Sequence, residues 1–246
     1  AMVNQPAYNP NNRSKLVPDQ LRNRAITDMF EPGSTMKVFT VMAALESGKY
    51  TTSSLFNTNP GRYRVYNKTI TDHSNYGIIN LETLIIKSSN IASAQIAESL
   101  PKETLPMIHR RFGFGSVTES GFPGESRGLL QPPQRWNPVE IATMSYGYGV
   151  TVTALQLARA YAAIANHGVS HPISLTKLTQ VPKSTPLISD KIVQQLLPMM
   201  ESVVSSDGTA IKAAIPGYRV AGKTGTAKVA IAGGYGKDYV GTFAGF

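Results

Sequence analysis

Residues 30–46 read Phe30-Glu-Pro-Gly-Ser34-Thr-Met-Lys37-Val-Phe-Thr-Val-Met-Ala-Ala-Leu45-Glu46. Pro32-Gly33 marks a turn, and the run from Ser34 to Glu46 predicts a helix that Gly48 is suited to end. Between Ser34 and Leu45 the sole charged residue is Lys37. Met36, Val38, Phe39, Val41, Met42 and Leu45 cover nearly every face, and a helix apolar all round is a buried one. A lysine carried on it is desolvated, which favours the neutral amine. Positions i and i+3 share a helix face, so Ser34 and Lys37 should meet. A neutral amine beside a hydroxyl is a base–nucleophile pair. Unpaired N–H groups at the helix start can serve an oxyanion. The competing account makes Ser34 a cap and lets Lys37 snorkel to water.

Outward from this helix, residues 1–33 read as a strand end and loop, and Tyr63 and Val65 alternate with Arg62 and Arg64. Residues 81–99 predict a helix broken near Ser88-Ser89-Asn90. Residues 113–138, rich in Gly and Pro, predict a long loop. Residues 153–166 predict a helix closed by Gly168, residues 172–181 a strand, and residues 189–204 a helix. Residues 218–246 predict two strands joined at 233–236. Helices interspersed with strands and a terminal hairpin give an α/β (α+β) class, a mixed sheet covered by helices. No run of alternating βα units supports a doubly wound sheet.

Composition narrows the chemistry. The 246 residues include 24 Lys plus Arg against 15 Asp plus Glu, a net charge of +9 that favours an anionic partner. The basic residues are scattered and aromatics are not interleaved among them, which argues against nucleic acid. The absence of Cys excludes thiolate nucleophiles and Cys-ligated zinc. No stretch reaches the roughly 20 apolar residues of a membrane span.

Several short motifs compete. Gly124-Glu-Ser126-Arg-Gly128 fits a nucleophile elbow but lies in the Gly/Pro-rich loop, without the strand and helix that motif needs. Gly217-Tyr-Arg-Val-Ala-Gly222-Lys223-Thr224 fits a phosphate-binding loop, yet Tyr218–Ala221 alternates like a strand and Gly225 stands where a helix should begin. Ser-x-x-Lys is expected about once by chance in such a chain, and it recurs at Ser99–Lys102 and Ser174–Lys177. Pro101 interrupts the first of these, and the second falls in the predicted strand, where i and i+3 diverge. Lys223-Thr224-Gly225-Thr226 is rarer, about one such chain in eight. On a strand Thr224 and Thr226 share a face, and Gly225 permits close approach by another backbone or a ligand.

Taken in order, Ser34-x-x-Lys37, Ser88-x-Asn90 and Lys223-Thr-Gly-Thr226 resemble the serine penicillin-recognising enzymes. The flanking words Phe30-Glu-Pro-Gly-Ser-Thr-Met-Lys37, Ile86-Lys-Ser-Ser-Asn90, Tyr146-Gly-Tyr-Gly149 and Ala221-Gly-Lys-Thr-Gly-Thr226 look like a class B penicillin-binding protein. Pro6-Ala-Tyr-Asn-Pro-Asn-Asn12 looks like its division-specific, Gram-negative type. The resemblance spans essentially the whole chain.

It implies a three-layer fold, an antiparallel sheet between helical layers. It also implies D,D-transpeptidation of peptidoglycan stem peptides, acylation by β-lactam antibiotics, and no cofactor or metal. By resemblance, Ser34 attacks the carbonyl between two D-alanines and Lys37 accepts its proton. Ser88, held by Asn90 and Lys223, relays a proton to the leaving amine. Thr224 and Thr226, around Gly225, bind the substrate carboxylate, and the amides of Ser34 and Thr226 form the oxyanion hole. Tyr148 and Tyr235 are candidates for an aromatic cleft wall, with core packing an equal account of Tyr148. The implied setting is periplasmic, on an inner-membrane-anchored protein beside a septal glycosyltransferase and other division proteins. Residues 1–246 are expected to be a fragment of the transpeptidase domain, lacking the anchor, the pedestal, the first strand, and the C-terminal strand and helix. Alternatives within the fold are a β-lactamase and a D,D-carboxypeptidase. One of another class is a penicillin-binding sensor. A class A Glu-x-x-Leu-Asn loop is absent, Ser88 stands where class C has Tyr, and Asn90 stands where class D has Val.

Overall fold

The computed structural model describes residues 2–180, 182–231 and 233–246. Its α-helices are α1 (Arg24–Thr27), α2 (Lys37–Glu46), α3 (Leu81–Lys87), α4 (Asn90–Ser99), α5 (Thr104–Arg111), α6 (Pro138–Met144), α7 (Ala154–Ala165) and α8 (Asp190–Ser202). Its strands are β1 (Phe56–Asn57), β2 (Arg62–Val65), β3 (Lys68–Thr71), β4 (Ile78–Ile79), β5 (Val169–Ser170), β6 (Thr185–Pro186), β7 (Gly222–Ile231) and β8 (Gly234–Gly245). They pair antiparallel as β1–β4, β2–β3, β5–β6 and β7–β8.

Helix α2 is the axis of the core. Every residue from Thr35 to Ala44 is fully buried, Lys37 included, because the sequence leaves this segment no polar face to turn to water. It packs against α3, α4, α5 and α8. The Phe39 ring meets Phe112 and Phe114 edge-on at 5.1 Å and Tyr161 at 5.9 Å. Burial of such a ring contributes about 1.5–3 kcal/mol. Helix α7 starts in a capping box: Thr153 Oγ1 accepts from Gln156 N–H at 3.1 Å, and Gln156 Oε1 accepts from Thr153 N–H at 2.8 Å. Helix α8 packs against β7, and α7 packs against β8.

Two expectations need correction. The helix expected from Ser34 begins with a 3₁₀ turn over Gly33–Met36, and the α-helix starts at Lys37. Three residues per turn stack i directly over i+3, so the tighter turn brings Ser34 and Lys37 together. Residues 172–180 form no strand, and residue 181 lies outside the described residues. The chain leaves the short β5–β6 pair there. Leu175 and Leu178, which a strand would have turned to opposite faces, are both about half exposed, at 49% and 50%. An alternating pattern without a partner strand has nothing to pair its backbone groups with.

The two long strands agree with the reading of 218–246. Burial along β7 alternates from Lys223, with Lys223, Gly225 and Ala227 inward and Thr226 and Lys228 outward. Gly225 faces Thr242 and Thr226 faces Gly241 across the pair. Among the described residues no helix follows Thr224, so the phosphate-loop reading lacks its second half. Residues 124–128 lie in a turn and irregular chain, without the helix a nucleophile elbow requires.

Candidate active site

Ser34 is fixed by the chain on both sides of it. Phe30 and Val152 exchange backbone hydrogen bonds of 3.0 and 2.9 Å, and Gly33 N–H donates to Gly147 O at 3.2 Å. Thr35 Oγ1 donates to Pro32 O at 2.8 Å, and buried Tyr161 donates its hydroxyl to Thr35 O at 2.9 Å. Thr40 Oγ1 donates to Ser145 O at 2.7 Å, which pins α2 itself.

Lys37 Nζ stands among four oxygens: Ser34 Oγ at 2.9 Å, Ser88 O at 2.5 Å, Ser88 Oγ at 3.1 Å and Asn90 Oδ1 at 2.7 Å. An ammonium has three protons to donate, and a neutral amine has two and one lone pair. Burial pushes the Lys37 amine well below its usual range and nearby Lys223 adds to this, while the Asp72 carboxylate opposes both. The neutral amine can donate to Ser88 O and Asn90 Oδ1, the two carbonyl oxygens. Its lone pair is then available to the Ser34 hydroxyl, which is the geometry of a base beside a nucleophile.

The Ser88-Ser89-Asn90 break has a local cause. Ser88 caps α3 in the left-handed region, φ 60° and ψ 44°, a conformation that costs a non-glycine residue about 1–2 kcal/mol. Ser89 is the N-cap of α4, its Oγ accepting from Ala92 N–H at 3.0 Å. One helix ends and another starts within two residues, and the reversal turns Ser88 and Asn90 together onto Lys37.

Lys223 is fully buried, and burial brings its amine down to about 7. Its Nζ donates to Thr224 O at 3.2 Å and Thr224 Oγ1 at 3.4 Å. Among the described residues no hydrogen bond joins it to Ser88, the link the resemblance implied; Lys223 reaches the cluster through its field on Lys37. Thr224 Oγ1 also lies 2.7 Å from Thr209 Oγ1. Gly225 lets β7 close on the loop that carries Ser34, since a methyl there would sit 2.6 Å from Pro32 O. A methyl on Gly33 would meet Thr226 O at 3.1 Å and Thr226 N at 3.4 Å, so the backbones that present the Ser34 and Thr226 amides are in contact.

Tyr148 and Tyr235 meet edge-on at 5.7 Å, and Tyr148 also meets Tyr146 at 5.9 Å. Tyr148 packs on a small core cluster as well. Tyr235 donates its hydroxyl to Glu31 Oε1 at 3.2 Å, and the same oxygen accepts from Gly149 N–H at 2.7 Å. Burial and the Glu31 carboxylate push the Tyr235 phenol up. Glu31, Gly147 and Asp72 were not singled out from sequence. Glu31 and Gly147 lay inside quoted words but carried no pattern of their own. Asp72, 16 residues before Ser88, stood beside no motif. Among the described residues no group of three His, Cys, Asp or Glu side chains could hold a metal ion, and no helix is long and apolar enough to cross a membrane.

Comparison with known proteins gives this geometry its relatives. The model of the penicillin binding protein transpeptidase domain matches residues 1–246. The chain is 44% identical, over its whole length, to the peptidoglycan D,D-transpeptidase FtsI of Escherichia coli, of which it spans 42%. It is 41% identical to the probable peptidoglycan D,D-transpeptidase PenA of Neisseria flavescens, again over the whole chain and 61% of that protein. Among solved structures, the apo transpeptidase domain of Burkholderia pseudomallei penicillin-binding protein 3 superposes with a TM-score of 0.87 at 42% identity, covering 92% of this chain and 69% of that one.

Proposed function

The chain belongs to the penicillin-binding-protein transpeptidase family, and from that premise we propose that it forms crosslinks between peptidoglycan stem peptides in septal wall synthesis, through an acyl-enzyme on Ser34 that β-lactams also form. The observation that carries this reading is Lys37 Nζ, fully buried and 2.9 Å from Ser34 Oγ, with burial favouring its neutral form.

The steps follow from the residues. Lys37 takes the Ser34 proton as Oγ attacks the carbonyl between two D-alanines. The Ser34 and Thr226 amides, on touching backbones, receive the charge that develops on the carbonyl oxygen. Ser88 passes a proton to the departing D-alanine amine. Thr224 and Thr226, flanking Gly225 on β7, bind the terminal carboxylate, and Lys223 adds positive potential behind them. An amine from a second stem then takes the acyl group. Tyr148 and Tyr235 wall one side of the cleft.

The same reading places the domain outside the inner membrane on an anchored protein, working with a septal glycosyltransferase and other division proteins. Support is the FtsI name of the Escherichia coli relative, 42% of which the chain spans, and the net charge of +9, suited to an anionic wall polymer.

The test is a transpeptidation assay on the full chain with a donor ending in D-Ala-D-Ala and a stem carrying a free amine. The expected products are free D-alanine and a crosslinked dimer, both lost in Ser34→Ala. D-alanine release with hydrolysis alone would favour the carboxypeptidase alternative, and no release at all would contradict the proposal.

A further inference from the structure

Asp72 is a carboxylate next to the active site that the mechanism above does not use. It follows β3 at the open end of the β2–β3 hairpin, opposite the 66–67 turn, where its backbone N–H donates to Gly61 O at 3.3 Å. Its side chain faces the start of α4. Oδ2 accepts from the Ser89 hydroxyl at 2.6 Å, and Oδ1 accepts from Asn90 N–H at 2.5 Å and Ile91 N–H at 3.1 Å. One residue earlier, Thr71 O accepts from Asn90 Nδ2 at 2.9 Å.

These contacts settle the orientation of Asn90. With Nδ2 committed to Thr71 and the backbone N–H to Asp72, Asn90 Oδ1 is left to face Lys37 Nζ at 2.7 Å. They also hold the left-handed turn at Ser88, a conformation that non-glycine residues rarely adopt and that its surroundings must impose. On the helix side Ser89 N–H donates to Leu84 O at 3.0 Å, and on the other side the anchor is Asp72.

We propose that Asp72 is a positioning residue for acylation at Ser34: its carboxylate, fixed to the β2–β3 hairpin, clamps the Ser88–Asn90 turn in the shape that brings Ser88 and Asn90 onto Lys37. The proposal rests on the reading of Ser34 as the acylated nucleophile. It has a second consequence through charge. Lys37 is faced by Ser34 from the 3₁₀ turn, by Ser88 and Asn90 from the α3–α4 junction, by Lys223 from β7, whose burial confines its charge to below about pH 7, and by anionic Asp72, which favours the protonated form of Lys37. Asp72 is itself faced by Ser89, the α4 amides and the Tyr76 phenol, which burial pushes up and the Asp72 charge pushes further.

Asp72→Asn separates the two effects. With its NH₂ toward Ser89, an amide makes that hydroxyl, already accepting from Ala92 N–H, accept again and give up its donation to residue 72; the opposite flip sets NH₂ against the two backbone N–H groups. It also removes the negative charge. Acylation of the full chain by benzylpenicillin, followed by intact mass from about pH 5 to about pH 9 with a melting curve for each variant, reads both. The plateau rate constant is expected to fall about ten-fold, the effect of one charge-assisted hydrogen bond. The acid limb, where Lys37 takes up its proton, is expected to move to lower pH. Asp72→Glu keeps the charge and misplaces it, so its limb should stay near that of the parent while the plateau falls. An unmoved limb in Asp72→Asn, with a rate lowered only in proportion to the folded fraction, makes Asp72 mere scaffolding and overturns the proposal. A parent chain acylated at Ser34 and an Asp72→Asn variant indistinguishable from it overturn this proposal alone. A parent that is never acylated, or an adduct that survives Ser34→Ala, overturns the reading of Ser34 and this proposal with it.

Discussion

Gly147 lies against the residue that precedes the proposed nucleophile, and an alanine there should damage acylation more than folding. Its φ is +88°, and an added methyl would stand 2.0 Å from Gly33 O, 2.5 Å from Gly33 C and 2.6 Å from Gly33 N. Gly149 shares a positive φ of +75° but has nothing within 4 Å of that position. Gly147→Ala and Gly149→Ala therefore share a conformational penalty, about 1–2 kcal/mol, and differ in the collision. The obstacle is backbone, so no side-chain rotation relieves it, and the Gly33–Ser34 segment or the Gly147 loop must move by roughly an ångström. Overpacking of this kind adds about 1–3 kcal/mol, and an ångström of misplacement at a reacting group costs about 10²-fold in rate. At roughly 2–4 °C per kcal/mol for a chain of this size, Gly149→Ala should melt about 2–8 °C early, and Gly147→Ala earlier still. The assay is the second-order rate constant for acylation by benzylpenicillin, measured well below each melting point. Gly149→Ala should stay within about three-fold of the parent and Gly147→Ala should fall about 10²-fold. Equal rate constants for the two variants would refute the claim that Gly33 contact sets the position of Ser34.

Other outcomes follow from burial and capping. His109 is fully buried, with neither ring nitrogen hydrogen-bonded among the described residues, and burial, helped by Arg110, brings it down to about 3. The unfolded chain, titrating near about 6.5, holds the extra proton between these values. Stability is therefore full above about pH 6.5 and lost as pH falls toward about 3, by up to about 1.4 kcal/mol per unit. Urea unfolding should show that slope flattened in His109→Leu; a variant with the parent's slope contradicts the assignment. Thr153→Ala removes the α7 cap and should cost about 1 kcal/mol with acylation unchanged; a lost acylation would mean that Thr153 does more than cap. Phe39→Ala, at the meeting of four aromatic rings, should cost about 3–5 kcal/mol in a denaturant titration, and a loss under about 1 kcal/mol would show that the cluster is not a core.

What could be read from sequence was local. The burial of α2 followed from an apolar run around one lysine. The break at Ser88–Asn90 and the hairpin over residues 222–245 followed from helix-end and turn chemistry. The 3₁₀ start at Gly33–Met36 was not legible, because the α and 3₁₀ patterns differ by less than one residue per turn. Residues 172–180 misled because alternation says what a strand would bury, and not whether a partner strand is there to pair with it. Asp72 and Gly147 were beyond reach for one reason. Their roles lie in contacts with Ser89, Asn90 and Gly33, far away along the chain, and an aspartate after a hairpin or a glycine between tyrosines carries no spacing that predicts such a neighbour. Lys223 was found by its motif, but its hydrogen bonds run to Thr224 where Ser88 was expected.

The central claim is that Ser34, and no other hydroxyl, becomes covalently acylated because Lys37 removes its proton. Tryptic peptide mapping of the full chain after exposure to benzylpenicillin tests it most directly, since cleavage after Arg24 and Lys37 isolates Ser34 on the peptide of residues 25–37. The account predicts one penicilloyl adduct, carried by that peptide at Ser34 and absent from a folded Lys37→Ala variant. An adduct on any other peptide, or full acylation of Ser34 without Lys37, would contradict it.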